Sequence, residues 1–306
     1  MTKVLIATVK PFAPAAVNEI RSTLKTAGYE AVFFEKYNNQ DEFAKAVKDA
    51  DALIIRSDKV TREILEAAGN LKIVVRAGAG YDNVDLAAAT EKGVVVMNTP
   101  GQNSNAVAEL ALGMMVYQAR NHFNGTSGTE LKGKKLGIHA YGHVGRLVAR
   151  IAQGFGMEVV AFDPFIPKET IEKDGVTVAK SVEEMYAACN YISLHIPANE
   201  HTKKSINYKL LSKMKKGAIL VNTARKEVID EEGLVQVFEE NDSFNYVSDI
   251  APENKELLEE RFGKRCFFTP KKMGAQTAEA NINAGIAAAK QIIGYIQKGD
   301  TTFKVN

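Results

Sequence analysis

One stretch of the chain, residues 134–164, constrains the fold more than any other. It reads as an apolar strand, a tight turn with glycines at positions 142 and 145, an amphipathic helix, and a second apolar strand that ends at Asp163. Turns of this kind join strand to helix in the β-α-β units that bind dinucleotides. The stretch therefore predicts a parallel sheet with a nucleotide at the amino end of the helix.

Each position in this turn has a physical task. Gly142 lets the backbone approach a pyrophosphate, and Gly145 lets the helix pack closely on the strand. The free N–H groups at the start of the helix, around His143 and Val144, face the anion. Asp163, at the end of the second strand, can accept hydrogen bonds from both ribose hydroxyls and would repel a 2′-phosphate, which favours NAD over NADP.

The pattern departs from G-x-G-x-x-G at its first glycine, which is Ala140 in this chain. A glycine pattern without its context is weak and also occurs in turns that bind nothing. Here the flanking strands, the helix and the terminal acid favour nucleotide binding. We expect alanine to fit, provided that the position does not need a positive φ.

Length and composition narrow the class of protein. A chain of 306 residues is long enough for two domains, and its net charge of +2 with no dense basic block argues against a nucleic-acid partner. No apolar run is long enough to span a membrane and the first residues do not resemble a signal peptide, so we expect a soluble, cytoplasmic protein. The two cysteines match no metal spacing; we predict buried thiols and no metal site.

Short apolar strands alternate with helical patterns along the whole chain, which predicts an α/β fold. We expect two Rossmann-like domains with parallel sheets and a cleft between them for a small-molecule substrate. Residues 1–101 form the predicted substrate-binding domain, completed by a C-terminal helix in 283–306. Residues 102–282 form the predicted NAD-binding Rossmann domain, which a helix within 103–121 opens.

Four further segments carry a family resemblance: residues 76–85 (RAGAGYDNVD), 96–104 (VMNTPGQNS), 221–234 (VNTARKEVIDEEGL) and 269–280 (TPKKMGAQTAEA). Together with the glycine turn they resemble the D-2-hydroxyacid dehydrogenase family over nearly the whole chain. Within that family the chain is most similar to the short branch that acts on 3-phosphoglycerate and lacks a C-terminal regulatory domain. The resemblance implies NAD-dependent oxidation of 3-phospho-D-glycerate to 3-phosphohydroxypyruvate by hydride transfer, a step of serine biosynthesis.

The resemblance also implies catalytic residues. Arg225 would hold the substrate carboxylate, and Glu253, one residue out of the usual spacing, would orient the base. The family histidine is absent, since all five histidines come earlier in the chain. Lys272 stands two residues before Gly-Ala in its place, although the chain has an extra residue after Pro270, and a solvated pair with Lys271 is the alternative.

Contacts implied for the cofactor are Ala140, Gly142, His143, Val144, Gly145, Asp163, His195, Ile196, Pro197, Thr223, Ala224, Asp249, Gly274 and Ala275. Asp249 would hold the nicotinamide carboxamide. Contacts implied for the substrate are Arg56, Ser57, Arg76, Ala77, Gly78 and Ala79. The first two would take the phosphate, and backbone N–H groups of residues 77–79 would suit the carboxylate.

Two other functions remain open at this point. A glyoxylate or hydroxypyruvate reductase, or another dehydrogenase of D-2-hydroxy acids, would not need Arg56. A non-catalytic NAD(H)-sensing protein would explain the missing histidine, whereas Arg225 and a lysine in register count against it. The apolar faces within residues 103–121, together with the resemblance, predict a two-fold homodimer.

Overall fold

The computed structural model describes all residues, 1–306, and divides the chain into two compact units. Unit 1 comprises Met1–Asn103 and Gln276–Asn306, and unit 2 comprises Ser104–Ala275. The boundaries predicted from the sequence follow residues 101 and 282. No helix of the structure is both long enough and apolar enough to cross a membrane.

Unit 1 is a five-stranded parallel sheet with the order β2-β1-β3-β4-β5. Its strands are β1 (Lys3–Thr8), β2 (Glu30–Glu35), β3 (Ala52–Ile55), β4 (Ile73–Arg76) and β5 (Val95–Asn98). Its helices are α1 (Pro14–Thr26), α2 (Gln40–Val47), α3 (Arg62–Ala67), α4 (Leu86–Glu91) and, at the end of the chain, α12 (Ala278–Lys298). The whole of α12 therefore belongs to unit 1.

Both faces of the unit 1 sheet are buried. Along β1, Leu5 and Ala7 belong to one apolar cluster and Val4 and Ile6 to another, as the two-residue period of a strand requires. Helix α12 packs against the second face together with α1. A continuous apolar strand is what a parallel sheet covered on both sides needs, and the sequence of β1 supplies it.

Unit 2 is a seven-stranded parallel sheet with the order β12-β11-β10-β9-β6-β7-β8. Its strands are β6 (Lys135–His139), β7 (Glu158–Phe162), β8 (Thr177–Val178), β9 (Tyr191–Leu194), β10 (Ile219–Asn222), β11 (Asn245–Ser248) and β12 (Cys266–Phe268). Its helices are α5 (Ser104–Ala119), α6 (His143–Gly154), α7 (Lys168–Lys173), α8 (Val182–Ala188), α9 (Tyr208–Leu211), α10 (Glu231–Glu240) and α11 (Lys255–Phe262). The two parallel-sheet units confirm the predicted fold class.

The strand order of unit 2 reverses between β6 and β9, and open α/β sheets bind ligands outside the carboxyl ends of strands at such a point. Candidate residues follow five strands directly at this edge: Ala140, Asp163, His195, Thr223 and Asp249. The topology alone thus gathers the predicted cofactor contacts at one edge of the sheet.

Candidate active site

The glycine turn between β6 and α6 combines close helix–strand packing at Gly145 with open space at Gly142, as a pyrophosphate site requires. A Cβ atom added at Gly145 would lie 2.3 Å from the carbonyl oxygen of Ala140, so only glycine allows this helix to sit so close to the strand. A Cβ added at Gly142 would meet nothing within 4 Å. Gly142 therefore leaves an open approach to the backbone, beside the exposed His143 at the start of α6.

Ala140 adopts φ +78°, in the region that favours glycine. The condition under which the sequence analysis accepted an alanine here, an ordinary φ, is therefore not met. The backbone N–H of Ala140 donates to the carbonyl of Phe162 at 3.0 Å, which continues the pairing of β6 with β7 into the turn. The turn keeps the left-handed geometry of a glycine and carries the steric cost of a methyl group.

Asp163 is fixed by two backbone N–H groups. Tyr141 N donates to its Oδ2 at 2.7 Å and Phe165 N donates to its Oδ1 at 2.8 Å. Each carboxylate oxygen accepts more than one hydrogen bond, so both remain able to accept ribose hydroxyls. The glycine turn and the acid are thereby joined directly, and the position of the carboxylate is set by the turn.

Two histidines stand at this edge, one as the last residue of β6 and the other directly after β9. His139 Nδ1 is 3.1 Å from the hydroxyl of Tyr186, and His195 Nε2 is 2.9 Å from Ser193 Oγ. Removal from solvent lowers the pKa of His139 to about 4 and that of His195 to about 3, the latter also through the charge of its neighbour His139. Both rings are neutral near pH 7, so neither supplies positive charge to the site.

Arg225 follows β10 on a loop that Asn222 shapes. The fully buried Asn222 donates from Nδ2 to the carbonyl of Arg225 at 3.0 Å and accepts from the N–H of Ala224 at 3.0 Å. The guanidinium of Arg225 makes one bond within the chain, from Nη1 to the carbonyl of Ala224 at 2.9 Å. Most of its donors thus stay available for an anion.

Asp249 is the most deeply buried charged residue at this edge, with no exposed surface. Its Oδ2 accepts from the N–H of Gly274 at 2.8 Å, while its Oδ1 has no hydrogen-bond partner. Burial raises the pKa of Asp249, and the charges of Lys272 and Arg225 oppose that shift. Thr223, also buried, leaves its hydroxyl oxygen without a partner as well.

An unmatched buried acceptor is costly, by about 1–3 kcal/mol. A nicotinamide carboxamide carries an N–H₂ donor that would satisfy Asp249 Oδ1. The open approach at Gly142 and the anchored Asp163 fit the pyrophosphate and the ribose of the same molecule. The residues at this edge therefore fit NAD at three separate points.

The segment that carries the two candidate lysines is tied to Asp249. Thr269 Oγ1 lies 3.0 Å from the carbonyl oxygen of Asp249 and 2.7 Å from that of Lys271. The positive charge of Lys272 lowers the pKa of Asp249 against the larger effect of burial. Whether Lys272 or Lys271 is the acid–base group stays a prediction.

Glu253 has a different partner from the one expected. Its side chain is 79% exposed and accepts a hydrogen bond from Lys226 Nζ at 3.1 Å. The backbone N–H groups of Glu253 and Asn254 donate to the carboxylate of Glu231 at 2.8 and 3.0 Å, which fixes the loop. An orienting role of Glu253 toward Lys272 stays a prediction.

In unit 1, Arg56 follows β3 and is partly buried, beside the exposed Ser57. Its Nη1 donates to the carbonyls of Lys10 and Pro11, each at 2.9 Å, and its Nη2 donates to Asn281 Oδ1. Desolvation lowers the pKa of Arg56, and the nearby Asp58 partly offsets this. The predicted phosphate ligand is thus already anchored by the chain.

The loop after β4 corrects one expectation. The N–H of Ala77 donates to the carbonyl of Ile55 at 2.8 Å and that of Gly78 to the carbonyl of Arg76 at 2.9 Å, so two of the three amides expected to bind a carboxylate are already used. Only Ala79 keeps its N–H for a ligand. A Cβ at Gly78 would lie 1.3 Å from Nη1 of Arg76, whose guanidinium folds over this glycine.

Sequence reasoning missed two residues that shape the candidate site of unit 2 and one that anchors Arg56 in unit 1. Asn222 stands in the recognised VNTAR segment but received no role, although an asparagine at the end of a buried strand signals a loop-shaping side chain. Thr269 likewise stood in a recognised segment without a role. Asn281 gave no local signal, because its partner Arg56 is 225 residues away in sequence.

Residues 105–270 match the family model described as D-isomer specific 2-hydroxyacid dehydrogenase, NAD binding domain. The chain is 38% identical over 271 residues to a D-3-phosphoglycerate dehydrogenase of Methanocaldococcus jannaschii, covering 83% of this chain and 51% of that protein. It is 37% identical over 270 residues to a hydroxypyruvate reductase of Thermotoga maritima, covering 83% and 87% of the two chains.

A solved structure is similar over the full length. The NAD+-bound 3-phosphoglycerate dehydrogenase of Entamoeba histolytica shares 46% sequence identity with a TM-score of 0.90, covering 100% of this chain and 98% of that one. By contrast, the chain spans about half the length of the archaeal phosphoglycerate dehydrogenase that it matches.

Proposed function

The chain belongs to the family of D-isomer specific 2-hydroxyacid dehydrogenases, and on that premise we propose that it oxidises 3-phospho-D-glycerate to 3-phosphohydroxypyruvate with NAD, a step of serine biosynthesis. One observation carries the reaction type. Asp249 is a fully buried carboxylate with one unmatched oxygen, and the charges of Lys272 and Arg225 lower its pKa against the effect of burial. A carboxylate binder, a proton acceptor and a cofactor anchor are the three groups that oxidation of a 2-hydroxy acid requires.

Bound NAD supplies the acceptor for the hydride of the carbinol carbon. Arg225 holds the substrate carboxylate with its free donors and so fixes the direction of the carbinol C–H bond. Lys272 takes the hydroxyl proton on its neutral amine during oxidation and returns it as an ammonium during reduction. Glu253 keeps its proposed part as the carboxylate that orients this amine.

We assign the substrate's phosphate to Arg56 and Ser57, which follow β3. Arg76, the last residue of the neighbouring strand β4, would add positive charge. Arg56 supports this assignment because its anchors are neutral carbonyl and amide oxygens, which leave its positive charge to attract a dianion. A reductase of glyoxylate or hydroxypyruvate is the second candidate, favoured by the similarity to the Thermotoga maritima enzyme. That reaction has no phosphate for Arg56 to bind.

A substrate panel tests the proposal. The purified protein is expected to form NADH with 3-phosphoglycerate at a kcat/KM well above that for glycerate or lactate. Faster NADH consumption with glyoxylate or hydroxypyruvate than with 3-phosphohydroxypyruvate would favour the second candidate. NADH binding without turnover of any of these acids would support a non-catalytic sensor instead. A cytoplasmic location belongs to the same proposal, and cell fractionation tests it.

We further propose a two-fold homodimer built on unit 2. After α5 the three residues Asn121, His122 and Phe123 all have φ between 51° and 56°, and Phe123 is left 65% exposed. The ring of Tyr117 stacks on that of His122 at 4.6 Å and supports this turn. An aromatic side chain held outward by a strained turn suits a self-complementary contact. Light scattering should give twice the chain mass, and Phe123→Ser should shift the equilibrium toward the monomer.

A further inference from the structure

The guanidinium of Arg56 is held along one side by the loop after β1. Both hydrogens of Nη1 are used by the carbonyls of Lys10 and Pro11, each at 2.9 Å. The buried ring of Phe12 lies below the group, with its centroid 5.1 Å from Cζ. This loop fixes the plane of the guanidinium.

Asn281, in the first turn of α12, holds the other nitrogen by accepting from Nη2 with its Oδ1. The orientation of this amide is determined, because its Nδ2 donates to the carbonyl of Thr277 at 2.7 Å. One turn further, a Cβ at Gly285 would come within 3.2 Å of the ring of Phe12. Helix α12 therefore packs closely on the same Phe12 ring that lies below Arg56.

These contacts leave donors on Arg56 for a ligand. Nε–H and one hydrogen of Nη2 have no acceptor in the chain. Asp58 lies nearby, but its carboxylate accepts from Val9 N at 2.7 Å, from the hydroxyl of Tyr37 at 2.8 Å and from the backbone N–H of Arg56. The side chain of Arg56 is thus anchored only by uncharged oxygens, which orient it without cancelling its charge.

We propose that Asn281 is a positioning residue for phosphate recognition: it holds Arg56 so that the free Nε–H and Nη2–H groups meet the substrate phosphate. The inference rests on the proposed oxidation of 3-phosphoglycerate. A neutral amide is the fitting anchor, because a carboxylate there would compete with the phosphate for the same cation. A preordered arginine also avoids the entropy cost of ordering a long side chain on binding.

Kinetics of Asn281→Asp test this, since the change keeps the size and the acceptor but adds a negative charge. We expect KM for 3-phosphoglycerate to rise about 10-fold or more, with kcat changed less than about 2-fold and little change for glycerate. Asn281→Ala should raise the same KM by a smaller factor. The matched control is Asn283→Asp, at an exposed position of the same helix. Equal losses on both acids, or no change in Asn281→Asp, would overturn the proposal.

A binding measurement separates this inference from the proposed function. In the cofactor-free protein, titration with inorganic phosphate should shift the Nε–H NMR signal of Arg56, assigned with Arg56→Lys. The shift should need much more phosphate in Asn281→Asp, or in Asn281→Ala if the first variant does not fold. If the wild type binds phosphate in this way but does not oxidise 3-phosphoglycerate, the proposed reaction fails and the anchoring role stands. Unchanged phosphate affinity in both Asn281 variants refutes the role.

Discussion

Arg56 in unit 1 and Asp249 in unit 2 both follow the last residue of a parallel strand. They differ in how many of their polar atoms have hydrogen-bond partners within the chain. The guanidinium of Arg56 is bonded to two backbone carbonyls and to Asn281. The carboxylate of Asp249 is fully buried, but only Oδ2 has a hydrogen-bond partner. The guanidinium of Arg56 is anchored before any ligand binds, whereas Oδ1 of Asp249 lacks a hydrogen-bond donor.

The two groups should therefore contribute to ligand binding in different ways. An anchored cation offers a fixed direction and a fixed charge, so its contribution appears as selectivity between ligands that differ in charge. A buried, unmatched oxygen costs free energy until a donor arrives, so its contribution appears as ligand-dependent stability. Unit 1 and unit 2 should therefore respond differently to mutation, to pH and to the cofactor.

The largest effect is expected at Lys272 in unit 2. Lys272→Ala should lower turnover by roughly 100-fold or more, because a general acid–base group is lost, while NADH binding remains. In the wild type, oxidation needs the neutral amine and should rise with pH, whereas reduction needs the ammonium and should fall. Lys271→Ala is the matched control and should do less. A greater loss in Lys271→Ala would show that the register is wrong.

Arg56 provides the corresponding test in unit 1. Arg56→Ala should cost about 2–4 kcal/mol in transition-state binding of 3-phosphoglycerate and change little for unphosphorylated hydroxy acids. Steady-state kinetics with both kinds of acid measure this difference. A uniform loss across both would mean that Arg56 supports the fold of unit 1 and does not read the phosphate.

Acid should weaken unit 2 before unit 1, because all five histidines lie in unit 2. Burial lowers the pKa of His139 to about 4 and of His195 to about 3, against about 6.5 in an unfolded chain. Between pH 6.5 and 5 the unfolded state binds more protons, so the free energy of unfolding falls as the pH falls, by about 1–2 kcal/mol for each of the two histidines. Hydrogen exchange should show protection lost in β6 and β9 while β1 and β3 keep theirs.

The control for this acid effect is His201→Ala, which removes an exposed histidine and should leave the pH dependence unchanged. Equal loss of protection in the two units would contradict the assignment to the buried pair.

A smaller effect is expected at Asp163. Asp163→Ala should weaken NAD binding by about 10-fold and relieve the repulsion of the 2′-phosphate of NADP, because two ribose acceptors and one charge are lost. Fluorescence titration with NADH and NADPH measures the ratio of the two affinities. Equal affinity of the wild type for both cofactors would remove this role of the carboxylate.

The smallest expected effect is a gain in stability at Ala140. Ala140→Gly should raise the free energy of unfolding by about 1 kcal/mol, since glycine adopts φ +78° without strain and part of the gain is offset by backbone entropy. Chemical denaturation measures the change. Gly145→Ala makes the opposite comparison in the same turn and should destabilise, because its Cβ would overlap the carbonyl of Ala140. A loss of stability in Ala140→Gly would contradict the inference that the positive φ of Ala140 strains the backbone.

The sequence by itself determined the alternation of strands and helices, the two parallel sheets and the dinucleotide turn with Asp163. These follow from local periodicity and from glycines whose tasks are set by their neighbours in the chain. The family resemblance also singled out Arg225, Asp249 and Arg56, each of which lies in a loop that follows a parallel strand of its own unit.

Only the tertiary structure decided which atoms of the candidate residues are already bonded. The positive φ of Ala140, the pairing of Glu253 with Lys226 and the used N–H groups of Ala77 and Gly78 depend on chain segments that meet through packing. Asn281 reaches Arg56 across 225 residues, and no local pattern encodes that hydrogen bond. Residue type and spacing limit what a side chain can do, whereas its partners depend on where the whole unit places it.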